Sequence, residues 1–114
     1  MVAGPQGVLV VLVTAPEAAA PGIARSLVER RVAACVSVTP GVRSVYRWEG
    51  TLHDDPETLL IIKTVPERFD ALLEAVRELH PYQVPEVLAL PVERGSPPYT
   101  AWVRDSVIEG EATP

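Results

Sequence analysis

A chain of 114 residues, 47% of them hydrophobic, holds enough apolar material for one buried core and is too short for two domains. Its net charge is −5 and its longest basic cluster is Arg30-Arg31, which excludes the repeated phosphate neutralisation that nucleic acid or an anionic membrane surface demands. The run Val8–Val13 falls far short of the roughly 20 apolar residues of a membrane span, and a single cysteine, Cys35, permits no internal disulfide. With no Lys or Arg in Met1–Gly7 to begin a signal peptide, a reduced, cytoplasmic protein is expected, without nucleic-acid or membrane partners.

The first strand is expected at Val8–Thr14, apolar on both faces, and Pro16 lies just beyond it. A helix follows with Ile23, Ala24, Leu27 and Val28 on one stripe. Pro21 fits only the first turn, where its missing N–H costs nothing, so the helix should begin near Ala18–Ala20. From Ala33 to Thr64 two β-branched runs flank Trp48-Glu49-Gly50, which predicts an unusually long hairpin with Gly50 at its reversal. Pro40-Gly41 should place a bulge in the first arm.

Thr64-x-x-Glu67 has the form of a capping box, with Pro66 in the first turn. Phe69, Leu72, Leu73, Val76 and Leu79 then define an amphipathic helix that Pro81 ends. Glu86–Val92 is the last predicted strand, and Pro91 suits an edge. Ser96 is placed to cap a short final helix carrying Tyr99, Trp102 and Val103, while residues 1–7 and 109–114 are expected to be flexible ends. The order βαββαβ plus a terminal helix describes an α+β, ferredoxin-like domain: a four-stranded antiparallel sheet with two helices on one face.

The strands do not alternate as a half-exposed sheet should. Val8–Val13, Leu59–Ile62 and Val87–Leu90 are apolar at every position. A monomer would therefore expose an apolar patch larger than soluble monomers usually tolerate, and a homo-oligomer built on the free sheet face is expected. The alternative is cover from a loop and the terminal helix.

Few residues offer chemistry. Cys35 reads either as a small core hydrophobe or as a soft-metal ligand. His53-Asp54-Asp55-Pro56-Glu57 gathers metal-capable side chains but equally resembles a charged turn before a strand. His80 opens the stiff loop His80-Pro-Tyr-Gln-Val-Pro-Glu86, where it either caps the helix carbonyls or serves a site together with Tyr82 and Glu86. Lys63 is the one lysine against nine arginines, either a tunable ammonium or a plain strand-end charge. Tyr46, Trp48, Tyr82, Tyr99 and Trp102 could line a ligand cleft, with Lys63 among its residues, or pack between subunits. There is no Gly-rich phosphate loop and no Ser/His/Asp arrangement, so an enzyme is not expected. Acid–base use of Lys63, Tyr82 or His80 is the remaining enzymatic reading.

Leu12-Val-Thr-x-Pro16, Ala33-Ala-Cys-Val36, Ser44-Val-Tyr-x-Trp-Glu-Gly50, Ile62-Lys-Thr64, His80-Pro-Tyr-x-x-Pro-Glu86 and Tyr99-x-x-Trp102 together resemble the CutA family of divalent-cation tolerance proteins. The resemblance spans residues 9–108 and implies a single ferredoxin-like domain assembled as a homotrimer. It further implies a role in tolerance to divalent metals, with copper or another divalent cation as the bound metal and no organic cofactor. On that basis Cys35, His80 and Glu86 are the candidate metal ligands. A trimeric signalling module that holds a small anionic ligand between subunits, through Lys63, His80 and Arg residues, is the alternative.

Overall fold

The structure is a computed structural model and describes residues 7–108. The expected flexible ends, apart from Gly7, lie outside the described residues. Strand β1 (Leu9–Ala15) leads into helix α1 (Ala20–Glu29), followed by β2 (Cys35–Trp48) and β3 (Thr51–Thr64). A single 3₁₀ turn at Pro66–Arg68 precedes α2 (Phe69–Leu79), then β4 (Leu88–Pro91) and α3 (Pro97–Val107). The strands form one sheet in the order β2-β3-β1-β4, every neighbouring pair antiparallel, which is the ferredoxin-like arrangement.

Burial alternates along β1 because helices cover only one face. Leu9, Val11, Val13 and Ala15 lie opposite Thr64, Ile62, Leu60 and Thr58 of β3, all buried. Against them α1 sets Ala20, Ile23, Ala24 and Leu27, and α2 sets Leu72, Ala75 and Val76. Pro21 sits in the first turn of α1, as its missing donor requires. On the other face Val10, Leu12, Leu59 and Ile61 are only half-buried. At the edge, Leu88 and Leu90 remain 57% and 51% exposed. The terminal helix covers only one end of this face, where Tyr99 lies against Cys35, and leaves these six side chains without a helix over them. It packs Val103 and Val107 against Val8 and Val65 in a separate small cluster.

The hairpin closes through Glu49 and Gly50, with φ of 50° and 81°. Positive φ at both central residues gives the turn the handedness that matches strand twist. β1 reaches only as far as Thr58, so the hairpin beyond it projects as a two-stranded ribbon. The radius of gyration is accordingly 14.9 Å, with extents of 50 × 28 × 22 Å, against about 13 Å for a compact chain of 100 residues.

Three local expectations are corrected. The capping box does not form: Thr64 stays in the β3 ladder opposite Leu9, and its hydroxyl donates to the Val32 carbonyl at 2.7 Å. Ser96 occupies the cap position of α3 without a side-chain capping bond. β4 is shorter than Glu86–Val92, but it is an edge strand with Pro91 at its end, as the proline suggests.

Arg104 fastens α3 to the domain. It grips both carboxylate oxygens of Glu67, at 2.6 and 3.2 Å, and donates to the Gly7 carbonyl. The hydrogen bond from Arg104 is the main reason that the Glu67 carboxyl is held below its usual range. A depressed carboxyl stabilises the fold above the unfolded-state pKa and loses that contribution as pH falls through the folded value. Glu67 is 46% exposed, so Glu67→Gln should cost no more than about 1 kcal/mol at neutral pH. Urea denaturation should show its deficit closing as pH drops below about 4.3, the ordinary glutamate value. A deficit independent of pH would mean that the pair is not its cause.

Candidate functional site

The site begins with a phase shift. Thr39 faces Leu59 but Val42 faces Glu57, so β2 carries one extra residue at Pro40-Gly41. Gly41 adopts φ +79°, which side chains other than glycine avoid. Before the bulge Cys35, Ser37 and Thr39 occupy the open sheet face; after it Val42, Ser44, Tyr46 and Trp48 do. Tyr46 and Trp48 thereby join Thr14 and Glu57 on one wall of a cleft of about 670 Å³. The loop from Pro81 to Glu86 makes the opposite wall.

That loop is held by His80. Pro81 bars His80 from helical backbone, and its ψ of 135° turns the chain out of α2. Its Nε2 lies 2.7 Å from the Thr14 carbonyl, on β1 beyond the last β4 pair at Leu12 and Leu88. Nδ1 accepts the Tyr82 amide N–H at 3.1 Å, so Nε2 carries the proton and donates to Thr14. His80 is 6% exposed and its ring lies 4.7 Å from that of Tyr82. It therefore does not cap the carbonyls of its own helix through its ring; it ties the loop to β1.

Tyr82 continues the network by donating its hydroxyl to Glu57 Oε2 at 2.7 Å. Burial first, and the Glu57 carboxylate second, push the Tyr82 phenol far above its ordinary value, so it stays a donor. Glu57 is only 3% exposed. Its neighbours do not form a charged turn, since His53–Glu57 lies within β3. There each polar side chain finds its own partner: His53 stacks on Tyr46 at 5.1 Å, Asp54 pairs with Arg43 and Asp55 accepts from Tyr46 at 2.6 Å. The bond to Asp55 is the leading cause that raises the Tyr46 phenol.

The expected site residues separate into two groups. Trp48, Tyr82 and Glu86 meet at the cleft, with His80 behind the loop. Cys35 and Lys63 face each other across the β2–β3 ladder at the opposite end of the open face. Tyr99 of α3 lies against Cys35; burial chiefly, and then the thiol, raises its phenol, and its ring is 5.6 Å from Trp102. Lys63 donates to Ser37 Oγ at 2.8 Å and to the Ile61 carbonyl at 3.3 Å. Lys63 is level with Val10, and Thr14 lies four positions further along β1, which is about 13 Å of strand. One chain thus does not unite Cys35 with His80 and Glu86. Among the described residues no three His, Cys, Asp or Glu side chains converge to hold a metal.

Glu57 is named in the sequence only within the His53–Glu57 segment and not as a residue of the cleft. Its signal was parity: from Lys63 backward along β3, odd positions face the open side, so Glu57 shares the face of Leu59 and Ile61.

Fold and cleft define a small α+β domain of ferredoxin-like plan with one sheet face left open. The family model described as CutA1 divalent ion tolerance protein matches residues 9–106, and the chain belongs to that family. It is 49% identical over 98 residues to the divalent-cation tolerance protein CutA of Thermus thermophilus, covering 85% of this chain and 95% of that one. The solved Thermus structure superposes with a TM-score of 0.85 at 48% identity, over 88% of this chain and 98% of the other. A CutA homolog from Xenopus laevis is 53% identical over 98 residues; the match takes in 85% of this chain and 65% of the frog protein. The Archaeoglobus fulgidus structure, named as a periplasmic divalent cation tolerance protein, gives a TM-score of 0.85 at 33% identity over 89% and 99% of the two chains. No described helix is long and apolar enough to cross a membrane.

Tyr82→Phe should remove the only donor that Glu57 has among the described residues. Leaving a nearly buried carboxylate without it should cost about 1–3 kcal/mol. Tyr99→Phe, at a residue 45% exposed, serves as the control. Equal denaturation midpoints for the two variants would contradict this account of the loop.

Proposed function

We propose that the chain is a homotrimeric divalent-cation tolerance protein that acts in the cytoplasm by binding metal ions, copper or another divalent cation, and catalyses no reaction. Membership of the CutA1 family supports the link to divalent-cation tolerance. The observation that carries the assembly is the open sheet face, where Leu88, Leu90 and the half-buried Val10, Leu12, Leu59 and Ile61 have no helix over them. A second copy is the chemically matched cover for such a surface.

Metal binding then depends on assembly as well. Cys35 is a soft donor and Glu86 an oxygen donor, and a single chain keeps them at opposite ends of the face. Donors from neighbouring subunits would have to complete a site. His80 would join it only by releasing Thr14 or the Tyr82 amide, so its role in one chain is to orient the loop. The alternative ligand, a small anion, finds no cationic side chain lining the cleft, which carries Glu57 and Glu86 instead.

Light scattering should return three times the 12.3 kDa chain mass. Copper titrated calorimetrically into the wild type should bind saturably. Cys35→Ser combined with Glu86→Gln should weaken binding by about tenfold or more, which corresponds to 1.4 kcal/mol. A monomer would reject the assembly, and superimposable isotherms would reject these ligands.

A further inference from the structure

The cleft beneath the Pro81–Glu86 loop combines three aromatic rings, Tyr46, Trp48 and Tyr82, with two carboxylates, Glu57 and Glu86. No Lys, Arg or His lines it. Glu57 is the informative member. Its Oε2 takes the Tyr82 hydroxyl, and Oε1 has no hydrogen-bond partner among the described residues. Yet no fully buried side-chain oxygen or nitrogen among these residues lacks a partner. Oε1 therefore carries part of the 3% exposure that Glu57 retains, and the surface that Glu57 lines is the cleft.

The nearly buried Glu57 carboxylate oxygen is best satisfied by a cationic N–H donor. The cleft itself offers none. The Tyr82 hydroxyl is already spent on Glu57, and that of Tyr46 on Asp55. The neutral donors of Thr14, Ser44, Trp48 and Gln83 also line the cleft but make no hydrogen bond to Glu57, and a ligand that brings both a proton and a positive charge is its best complement. Aromatic side chains around such a site favour a cation attached to a hydrocarbon body, through the attraction of ring faces for positive charge and through apolar contact. A volume of about 670 Å³ lies within the usual 300–1,000 Å³ of small-molecule pockets. A bare hard cation would need several converging oxygen ligands, and no three acidic, His or Cys side chains converge here among the described residues.

We propose that this cleft binds a small protonated amine, whose ammonium N–H donates to Glu57 Oε1 while its alkyl part lies among Trp48, Tyr46 and Tyr82. Glu86, exposed at the rim, adds the second negative charge. The site is distinct from the sheet end that carries Cys35.

The test uses the full chain in its native assembly, with EDTA present so that metal binding cannot contribute. Trp102→Phe leaves Trp48 as the one tryptophan, and its emission reports on the cleft. The probes are n-butylammonium, its uncharged counterpart butan-1-ol, butyrate and tetramethylammonium. Butylammonium should bind saturably and at least about tenfold more tightly than butan-1-ol, a difference of 1.4 kcal/mol. Butyrate should not bind, and tetramethylammonium, lacking an N–H, should bind more weakly than butylammonium. Glu57→Gln should weaken butylammonium about tenfold. Glu86→Gln, at an exposed position that cannot threaten the fold, should weaken it severalfold and decides the matter if the Glu57 variant does not fold. Equal affinity for butan-1-ol, binding of butyrate, tetramethylammonium binding as tightly as butylammonium, no effect of Glu86→Gln, or no binding of any probe would each overturn the proposal.

Discussion

One extra residue in β2, at Pro40-Gly41, decides which side chains the two halves of the hairpin present to each face. Side chains in a strand alternate strictly, so a single insertion reverses every residue beyond it. Without it Ser44, Tyr46 and Trp48 would turn toward the helix-covered side, and the side chains now opposite them would meet Glu57. The bulge costs a left-handed backbone at Gly41 and an interrupted ladder. In return it lets a strand whose first half belongs to the domain sheet carry, in its second half, the aromatic wall of a cleft. The ribbon can project because the turn at Glu49-Gly50 closes it without splaying the strands.

The opposite wall is built by satisfying backbone groups where regular pairing runs out. β4 pairs with β1 only from Leu9 to Leu12. Past that point the Thr14 carbonyl takes its bond from the His80 ring, and the same ring fixes the Tyr82 amide. Tyr82 then reaches across to Glu57, so a loop with little apolar anchoring is held by three directional bonds in series. The order of effects runs from Pro81, which ejects His80 from α2, to the buried carboxylate across the cleft. A buried carboxylate is costly unless donors meet it, and here the donor comes from the loop that the carboxylate helps to hold.

Features that depend on neighbouring residues were legible in the sequence. The reversal at Gly50, the bulge at Pro40-Gly41, the end of α2 before Pro81 and the edge position of Pro91 all follow from backbone preferences of Gly and Pro. The divalent-cation family was legible too, from six short stretches in order. What failed were inferences in which a local pattern met a distant competitor. Thr64-x-x-Glu67 reads as a capping box, but Thr64 remains paired with Leu9 and its hydroxyl is drawn to Val32, 32 residues away. Glu57 looked like one acid in a charged turn, because the residue that buries it, Tyr82, lies 25 positions downstream. The candidate ligands are a separate matter: the spacing of Cys35 and His80 does not say where one chain places them, and the strand order β2-β3-β1-β4 does.

That strand order also divides the open face by chemistry. At one end Cys35, Lys63, Ser37 and Tyr99 gather around the start of β2; at the other Glu57, Tyr82 and the ribbon aromatics surround the cleft. Between them run Val10, Leu12, Leu59 and Ile61, an apolar strip without a charged side chain, flanked on β2 by Thr39. The strip is what an assembling copy would cover, and covering it would lower the dielectric around both ends. Electrostatic interactions at each end would then strengthen by the same event, the carboxylates for cations and the thiol for a soft ion. On the proposed assembly, cation affinity would be coupled to it through solvent exclusion, without any contact between the two groups of residues.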